Sequence, residues 1–285
     1  QAPGRITLVV VATNPIQYQA PLFRELAGRV DLHVLFAHRA TPDNQAAAGF
    51  GVPFDWDIDL TSGYSSAYLN NVSQRPRLDA FGGCDTPEVA DDIERLKPDA
   101  LLVQGWHVKS FWQSIYAARR RKIPVMVRGD SQLQTPRSRL KIAVKEVVYP
   151  LALRAFDAAL YVGENSRRYW EHYRYPRDRM FFAPHCVDND WFAERATPEA
   201  RAGLRQSCGI AEDTFVVLFA GKLAPLKKPL DLIDAVARCR AAGRPGEMII
   251  SGSGAFGGAV LAHAAAPNLP VRIAGLRKRT QNPTR

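Results

Sequence analysis

The sequence predicts an α/β protein of two doubly wound domains, each with a parallel sheet covered by helices on both faces. Three observations predict it. Apolar runs of strand length alternate with segments of helical periodicity, the alternation starts again after Asp188, and 285 residues suffice for two ordinary domains. A hydrophobic content of 46% excludes a disordered chain. We expect residues 1–188 and 189–285 to form the two domains.

The first predicted domain follows this alternation closely. Its predicted strands are Ile6 to Ala12, Leu32 to Phe36, Ala100 to Gln104, Ile123 to Arg128 and Ala158 to Val162. Its predicted helices are Ala20 to Leu26, Val89 to Leu96, Ser110 to Arg121 and Arg167 to Tyr173. Thr86 is the expected cap of the second helix, with Pro87 in its first turn. The stretch Arg39 to Phe81 breaks the alternation, so we expect a loop-rich insertion that carries substrate contacts.

The second predicted domain repeats the pattern over a shorter length. Thr197, Pro198 and Glu199 open a helix. The further predicted strands are Phe215 to Ala220, Glu247 to Ser251 and Val271 to Ala274. The further predicted helices are Leu230 to Ala241 and Val260 to Ala265. The residues after Asp188 are fewer than the roughly 100 to 150 of a compact domain, and the last ten, Leu276 to Arg285, are polar and patternless. We therefore expect the second domain to be incomplete.

The net charge of +10 is unevenly distributed. Most of the excess lies between Arg119 and Lys145, where Asp130 is the one anion. The cations of this segment are Arg119, Arg120, Arg121, Lys122, Arg128, Arg137, Arg139, Lys141 and Lys145. Such a patch attracts polyanions or an anionic membrane surface, and a solvated helix face is the alternative. We expect no nucleic acid partner, because the segment lacks an aromatic platform and any DNA-binding motif.

Cysteine spacing and hydropathy indicate the compartment. The four cysteines are far apart and fit no zinc-ligand spacing, which is typical of a reduced, cytosolic protein. The first apolar run, Ile6 to Ala12, is too short for a signal peptide. The most apolar longer stretch, Ile142 to Val162, is interrupted by charged residues, so we expect no membrane span.

Candidate site residues follow the predicted strands, because chemistry in open parallel sheets collects at the carboxyl ends of the strands. Asn14, Pro15 and Gln17 lie in a polar turn that leads into a helix, whose free N–H groups can hold an anion. His107 follows the Ala100 strand. The alternatives are an ordinary loop for the turn and a structural role for the histidine.

Arg128 and Asp130 follow the next strand of the first domain. A residue at this position can contact a ligand in the crevice at the sheet edge. An internal ion pair between the two is the alternative, and the sequence by itself favours it.

The sharpest local signal surrounds Gly221, which ends a predicted buried strand. Lys222 follows at once, and Lys228 comes immediately before Pro229, which suits the first turn of a helix. Cations at a helix N-terminus cost roughly 0.3 to 1 kcal/mol each, unless an anion lies between them. A departing diphosphate is such an anion, and fixed cations stabilise it without a metal. A solvated basic turn is the alternative.

A glycine-rich turn follows the next strand. Gly252 and Gly254 alternate with serines there, and they allow a second close approach of the backbone to a ligand. A short glycine-rich loop is weak evidence by itself.

Several motifs together carry a resemblance. They are Gly105-Trp106-His107, Arg128-Gly129-Asp130-Ser131, Tyr161-Val162-Gly163-Glu164-Asn165, Pro184-His185-Cys186-Val187-Asp188-Asn189, Gly221-Lys222 with Lys228, and Ser251-Gly252-Ser253-Gly254. Between Ile6 and about Gly275 the chain resembles the metal-independent, retaining nucleotide-sugar glycosyltransferases of family 4. These have the GT-B fold of two facing Rossmann-like domains. The resemblance is in particular to bacterial members that act in the assembly of polysaccharide or lipopolysaccharide.

The resemblance implies roles for the matching positions. The implied sites comprise catalytic His107, Lys222 and Lys228, donor-binding Asn14, Pro15, Gly221, Lys222, Lys228, Gly252 and Gly254, and acceptor-side Gln17, Arg128 and Asp130. The two lysines stabilise the donor diphosphate, and His107 contacts the transferred sugar.

The implied reaction replaces a nucleoside diphosphate by an acceptor hydroxyl, with retained anomeric configuration. It needs no protein nucleophile, no divalent metal and no other cofactor. The expected partners are a nucleotide sugar, a glycan or lipid-linked acceptor, and an anionic membrane surface bound through Arg119 to Lys145. The expected location is the cytoplasm, including the inner face of the cytoplasmic membrane.

One departure from the family lies at the end of the chain. Members carry a pair of glutamates eight positions apart that hold the sugar and the ribose, and the chain ends before such a segment. We therefore expect a truncated product with an incomplete donor pocket and impaired activity.

Other classes of protein are also compatible with parts of the pattern. A dinucleotide-dependent oxidoreductase is disfavoured because no G-x-G-x-x-G follows the first strand. An epimerase or phosphorylase of the same architecture stays open. A non-catalytic fragment that binds membranes or polyanions through Arg119 to Lys145 also stays open.

Overall fold

The chain folds into two compact units, each built on its own parallel sheet. The computed structural model describes residues 4–56, 58–244, 246–265 and 271–275. The first unit comprises residues 1–39 and 60–187, and the second comprises residues 40–59 and 188–285. The predicted α/β class with two parallel-sheet units is confirmed. The acceptor-side and donor-side assignments of the two units stay predictions.

Among the described residues, ten strands form the two sheets. They are β1 Thr7–Ala12, β2 Asp31–Phe36, β3 Ser65–Tyr68, β4 Ala100–Val103, β5 Val125–Gly129, β6 Ala158–Tyr161, β7 Met180–Phe182, β8 Val216–Ala220, β9 Glu247–Ser251 and β10 Val271–Gly275. The first sheet has the order β3-β2-β1-β4-β5-β6-β7, and the second has the order β10-β9-β8. Every pairing is parallel, so within each sheet all carboxyl ends lie along one edge.

The helices of the described residues connect these strands. They are α1 Ala20–Arg29, α2 Pro42–Gln45, α3 Val89–Leu96, α4 Lys109–Arg120, α5 Arg139–Ala152, α6 Glu164–His172, α7 Asn189–Arg195, α8 Pro198–Ser207, α9 Pro229–Ala241 and α10 Gly257–Ala264. Short turns of other helix types lie at residues 46–50, 81–83, 153–155, 177–179 and 225–227.

The central strand β1 shows why the first sheet forms. All six of its residues are buried, because helices cover both faces and a strand in that position is continuously apolar. Val9 and Val11 pack into one core cluster, while Leu8 and Val10 pack into the other. Alternate side chains of a strand point to opposite faces, so β1 joins the two cores.

Two carboxylates satisfy backbone donors where strands begin. Asp99 Oδ2 accepts from the backbone N–H of Thr7 at 2.8 Å. Asp157 Oδ2 accepts from that of Val125 at 2.7 Å. These bonds pair N–H groups that would otherwise lack a partner at the amino ends of β1 and β5.

One predicted helix cap is wrong. Helix α3 begins at Val89, whose N–H donates to the backbone carbonyl of Thr86 at 3.2 Å. The hydroxyl of Thr86 is buried and has no hydrogen-bond partner among the described residues. Pro87 and Glu88 form a backbone turn ahead of the helix, and this turn displaces the cap from the position that the sequence suggested.

The second unit has a smaller core around its middle strand. Met248 and Ile250 of β9 pack with Ile233 of α9 and Val260 of α10. Strand β8 was expected to be buried, but it is an edge strand of this sheet and Leu218 is 57% exposed. The prediction that this domain is incomplete rests on residues 276–285, which lie outside the described residues.

No helix among the described residues has the length and apolar character needed to cross a bilayer. The most apolar stretch of the sequence is instead divided among α5, a short helical turn and β6.

Candidate functional site

The loops that follow β8 and β9 are joined by backbone hydrogen bonds. The N–H of Leu223 donates to the carbonyl of Ser253 at 2.8 Å, and that of Gly221 donates to the carbonyl of Ser251 at 3.0 Å. Both loops lie at the carboxyl edge of the second sheet. Open parallel sheets bind ligands at this edge.

The close approach of these two loops explains why glycine occupies positions 252 and 254, two of the predicted donor-binding residues. A Cβ at Gly252 would lie 1.8 Å from the carbonyl oxygen of Gly221, and one at Gly254 would lie 2.4 Å from that of Leu223. Their φ angles of +156° and +154° also favour glycine. Packing of one loop on the other therefore requires both glycines, and their contact with a donor stays a prediction.

A cavity of about 240 Å³ lies beside these loops. It is lined by residues 50–52 and 252–254 and by Leu223, Gly257, Leu261 and Ile273. The hydroxyl of Ser253 is buried and has no hydrogen-bond partner among the described residues. Ligand pockets usually measure about 300 to 1,000 Å³, so this cavity has the size for one part of a nucleotide, such as the base.

Lys222 lies against the wall of this cavity. Its Nζ is 4.4 Å from the centroid of the Phe50 ring, a cation–π contact. Partial burial lowers the pKa of Lys222, and the positive charge of Lys227 lowers it further. An anion bound here would offset both effects, because it favours the charged form of the lysine.

Lys228 has a different environment. It adopts a φ of +54° at the residue that precedes helix α9, which begins at Pro229 as predicted. Its side chain is 71% exposed, and its Nζ lies 3.5 Å from Asp231 Oδ2. An exposed ion pair of this kind contributes about 0 to 1 kcal/mol, so a phosphate could replace the carboxylate at little cost.

In the first unit, Arg128 is 5% exposed, and its guanidinium donates hydrogen bonds to backbone carbonyls. Its Nε donates to the carbonyl of Ala183 at 3.2 Å, and its Nη2 donates to that of Pro184 at 2.9 Å. Arg128 therefore holds the segment that follows β7. It is not part of the basic surface that the charge count suggested.

A polar cluster lies around this arginine at the carboxyl edge of the first sheet. Arg128 Nη2 is 3.4 Å from His185 Nδ1, and the His185 ring packs edge-on against Tyr18 at 5.2 Å between centroids. Partial burial lowers the pKa of both His107 and His185, and the negative charge of Asp130 acts in the opposite direction on each. Burial raises the pKa of Tyr18, and Asp130 raises it further.

His107 is near enough to Asp130 for that charge to act on its pKa, and its ring lies 5.6 Å from that of Phe111. Gly105, with a φ of +124°, makes room for it, because a Cβ there would lie 3.2 Å from His107 Nδ1. His107 follows the carboxyl end of β4, so it lies at the sheet edge as predicted. Its contact with a sugar stays a prediction.

The turn after β1 is closed by its own side chains. Asn14 is buried; its Oδ1 accepts from the Thr13 hydroxyl at 3.1 Å, and its Nδ2 donates to the carbonyl of Pro15 at 3.2 Å. Gln17 is partly buried in the following turn. These bonds give the turn a structural role, and its donor and acceptor contacts stay predictions.

Sequence reasoning missed several polar groups at the same edge. Tyr18 and His185 received no role, and their contact joins segments far apart in the chain. Gln104 Nε2 and Gln19 Oε1 are buried and have no hydrogen-bond partner among the described residues. The position of Gln104 directly after β4 is a signal that could have identified it.

Comparison with known proteins gives partial sequence relatives and structures that share the fold. No protein-family model matches the chain. Over 139 residues it is 30% identical to the D-inositol 3-phosphate glycosyltransferase of Geodermatophilus obscurus, a match that covers 47% of the chain and 28% of that protein. The protein of the same description from Stackebrandtia nassauensis is 39% identical over 69 residues, covering 24% of the chain and 15% of that protein. The chain thus spans under a third of the length of each curated relative.

Solved structures resemble the chain over almost its whole length. Anabaena HepE in complex with UDP superposes with a TM-score of 0.65 at 16% identity, covering 95% of the chain and 70% of HepE. The UDP-GlcNAc 2-epimerase of Methanocaldococcus jannaschii superposes with a TM-score of 0.55 at 14% identity, covering 97% of the chain and 75% of the epimerase. The chain therefore has the GT-B fold, which glycosyltransferases and epimerases of nucleotide sugars share.

Proposed function

We propose that the protein is a glycosyltransferase that moves a sugar from a nucleoside-diphosphate sugar to a hydroxyl of a glycan or lipid-linked acceptor. The observation that carries the proposal is the cavity of the second unit. There Lys222 and the hydroxyl of Ser253 lie at the carboxyl edge of a parallel sheet, and this hydroxyl has no hydrogen-bond partner in the part of the chain that the structure describes. The partial sequence similarity to glycosyltransferases supports transfer as the reaction.

In this proposal the second unit binds the donor. The cavity takes the base, and the backbone and hydroxyl of Ser253 supply polar contacts. Lys222 and Lys228 hold the diphosphate together with the free N–H groups at the start of α9, where an anion is stabilised. The complex of HepE with UDP supports a uridine nucleotide as the first donor to test.

The proposed transfer proceeds with retention and without a metal, as in family 4. The acceptor oxygen forms a bond to the anomeric carbon on the face that the leaving group vacates. The bond from that carbon to the phosphate oxygen breaks, its electron pair stays on the diphosphate, and the diphosphate takes up the acceptor proton. Charge that develops on the leaving group is stabilised by fixed cations.

The first unit supplies the proposed acceptor side. Gln17 and Asp130 bind the acceptor, and His107 contacts the transferred sugar. Burial lowers the pKa of His107, so its neutral form dominates near pH 7 and it acts as a hydrogen-bonding group. Because Arg128 is bonded to backbone carbonyls, we assign it the role of positioning His185. Assembly of polysaccharide or lipopolysaccharide in the cytoplasm is the proposed setting.

Epimerisation of a nucleotide sugar is the second candidate, because UDP-GlcNAc 2-epimerases share the fold. Incubation with a labelled UDP-sugar separates the two reactions. An epimerase converts the label into a second UDP-sugar without an acceptor. A transferase releases UDP in step with a labelled product only when an acceptor is present. A fragment without activity gives neither product.

Titration calorimetry with UDP- and GDP-sugars tests the donor site directly. Lys222→Ala should weaken binding by about tenfold or more, the usual effect of removing a charged hydrogen-bond donor from an anion. Arg238→Ala is the control, because this exposed cation lies in the last turn of α9, ten positions beyond Lys228, and its loss should leave the affinity within about twofold. Equal affinities of wild type and Lys222→Ala would contradict the donor site.

A further inference from the structure

Helix α5 carries an apolar ridge that points outward. The ridge consists of Leu140, Val144, Val147, Val148 and Leu151, each between 48% and 74% exposed. Residues at these spacings share one helix face. No residue of α5 is buried, whereas an amphipathic helix of a globular protein normally turns its apolar stripe toward the core.

A different side of α5, which carries Lys145 and Glu146, contacts the protein. Lys145 Nζ lies 3.4 Å from the hydroxyl of Tyr169 on α6. Glu146 Oε1 lies 2.7 Å from His172 Nε2. These contacts fix the rotation of the helix, so the outward direction of the ridge is built into its packing.

The charges around the ridge are positive. Arg139 and Lys141 are exposed on either side of Leu140, and the one anion of the helix, Glu146, is paired with His172. Elsewhere in the basic segment, Arg119 pairs with Asp157 at 3.0 Å and Arg121 pairs with Glu94. Arg139 and Lys141 therefore place positive charge directly beside the start of the apolar ridge.

An apolar cavity of about 180 Å³ adjoins the same helix. Its lining includes Val148, Tyr149 and Ala152 of α5 together with Trp106, Trp112 and Phe156. Val148 belongs to both the ridge and the cavity wall, so the two apolar surfaces are continuous. A hydrocarbon chain is an occupant that fits both.

We propose that α5 docks the protein on an anionic lipid surface. The ridge enters the boundary between headgroups and acyl chains, and Arg139 and Lys141 bind lipid phosphates. The cavity beside Val148 receives part of one acyl chain. This inference is independent of the proposed sugar transfer, because it rests on α5 and its contacts alone.

Vesicle sedimentation tests the proposal with two kinds of vesicle, phosphatidylcholine alone and phosphatidylcholine mixed with phosphatidylglycerol. The wild-type chain should bind the anionic vesicles, and the binding should weaken as salt is raised. The triple variant Leu140→Ser, Val147→Ser, Leu151→Ser should lose binding by about tenfold or more, because it removes most of the inserted apolar surface. Leu226→Ser, at an exposed leucine of the second unit, should bind like wild type.

A second pair of variants tests the charges. Arg139→Gln with Lys141→Gln should weaken binding to anionic vesicles and reduce its salt dependence. Arg95→Gln with Lys97→Gln, at the carboxyl end of α3, should change neither. Circular dichroism verifies that all variants fold. Wild-type binding that is absent, or that the serine variant retains, overturns the proposal. A wild-type dimer that the serine variant dissociates, without vesicle binding, would instead identify a second copy of the chain as the occupant.

Discussion

Gly252 and Gly254 allow the loops that follow β8 and β9 to pack closely, because each glycine has only a hydrogen atom where other residues have a side chain. Each glycine has a carbonyl oxygen of the neighbouring loop where a Cβ would stand, and each has a φ that other residues rarely adopt. The carboxyl edge of the second sheet is thus shaped by backbone approach, and the cavity beside it depends on that approach.

Gly252→Ala should therefore destabilise the protein by about 1 to 3 kcal/mol, the usual range for a strained backbone position. Gly258→Ala is the control, because a Cβ at this position in α10 meets nothing within 4 Å. Helix propensity predicts that the control is neutral or up to about 1 kcal/mol more stable. Urea denaturation of both variants measures the difference, and equal stabilities would show that the loops can separate without cost.

His107 should titrate below its ordinary value of 6.5, because partial burial disfavours the imidazolium. The folded protein then binds fewer protons at this site than the unfolded chain, so the free energy of unfolding decreases as pH falls through the unfolded pKa. Asp130→Asn should lower the midpoint further, since the carboxylate stabilises the imidazolium. NMR titration of the ring protons, assigned with His107→Gln, measures both midpoints. A midpoint that rises in Asp130→Asn would contradict this electrostatic relation.

Among the elements, long periodic segments were predictable and short edge segments were not. The buried runs at β1, β2 and β9 and the periodic helices α3, α4 and α9 lie within a few residues of their predicted bounds. Strand β3 reads Ser-Ser-Ala-Tyr and has no apolar run to reveal it. Strand β7, Met-Phe-Phe, is apolar but has only three residues, which is too short for a pattern to show. Helix α5 was not predicted, because in the sequence its exposed apolar residues form one continuous apolar stretch with the residues before β6.

Helix α8 is an element whose start was predicted correctly. The hydroxyl of Thr197 accepts from the N–H of Ala200 at 3.2 Å, and Pro198 fills the first turn. Thr197→Ala should cost about 1 kcal/mol, because the N–H group loses its cap. Thr197→Ser keeps the cap and should cost little. Thermal unfolding measures both, and equal losses would show that the hydroxyl contributes no cap.

For the whole molecule, the sequence predicted two units built on parallel sheets, but it did not predict which segments combine within each unit. Residues 40–59 precede most of the first unit in the chain and yet belong to the second, where Phe50 meets Lys222. A local sequence pattern does not show that an early segment packs with residues much later in the chain. The contact of Tyr18 with His185 was unpredictable for the same reason.

The central claim is that the cavity of the second unit binds the nucleotide. Gly257 lines the cavity, and a side chain there starts in ordinary contact with Leu223, whereas the neighbouring Gly258 faces open space. Calorimetric titration of UDP into Gly257→Leu and Gly258→Leu compares a filled cavity with an open one in otherwise matched variants. We predict that Gly257→Leu loses at least about tenfold in affinity, the effect of 1.4 kcal/mol, while Gly258→Leu binds like wild type. Undiminished UDP binding in Gly257→Leu would contradict the claim.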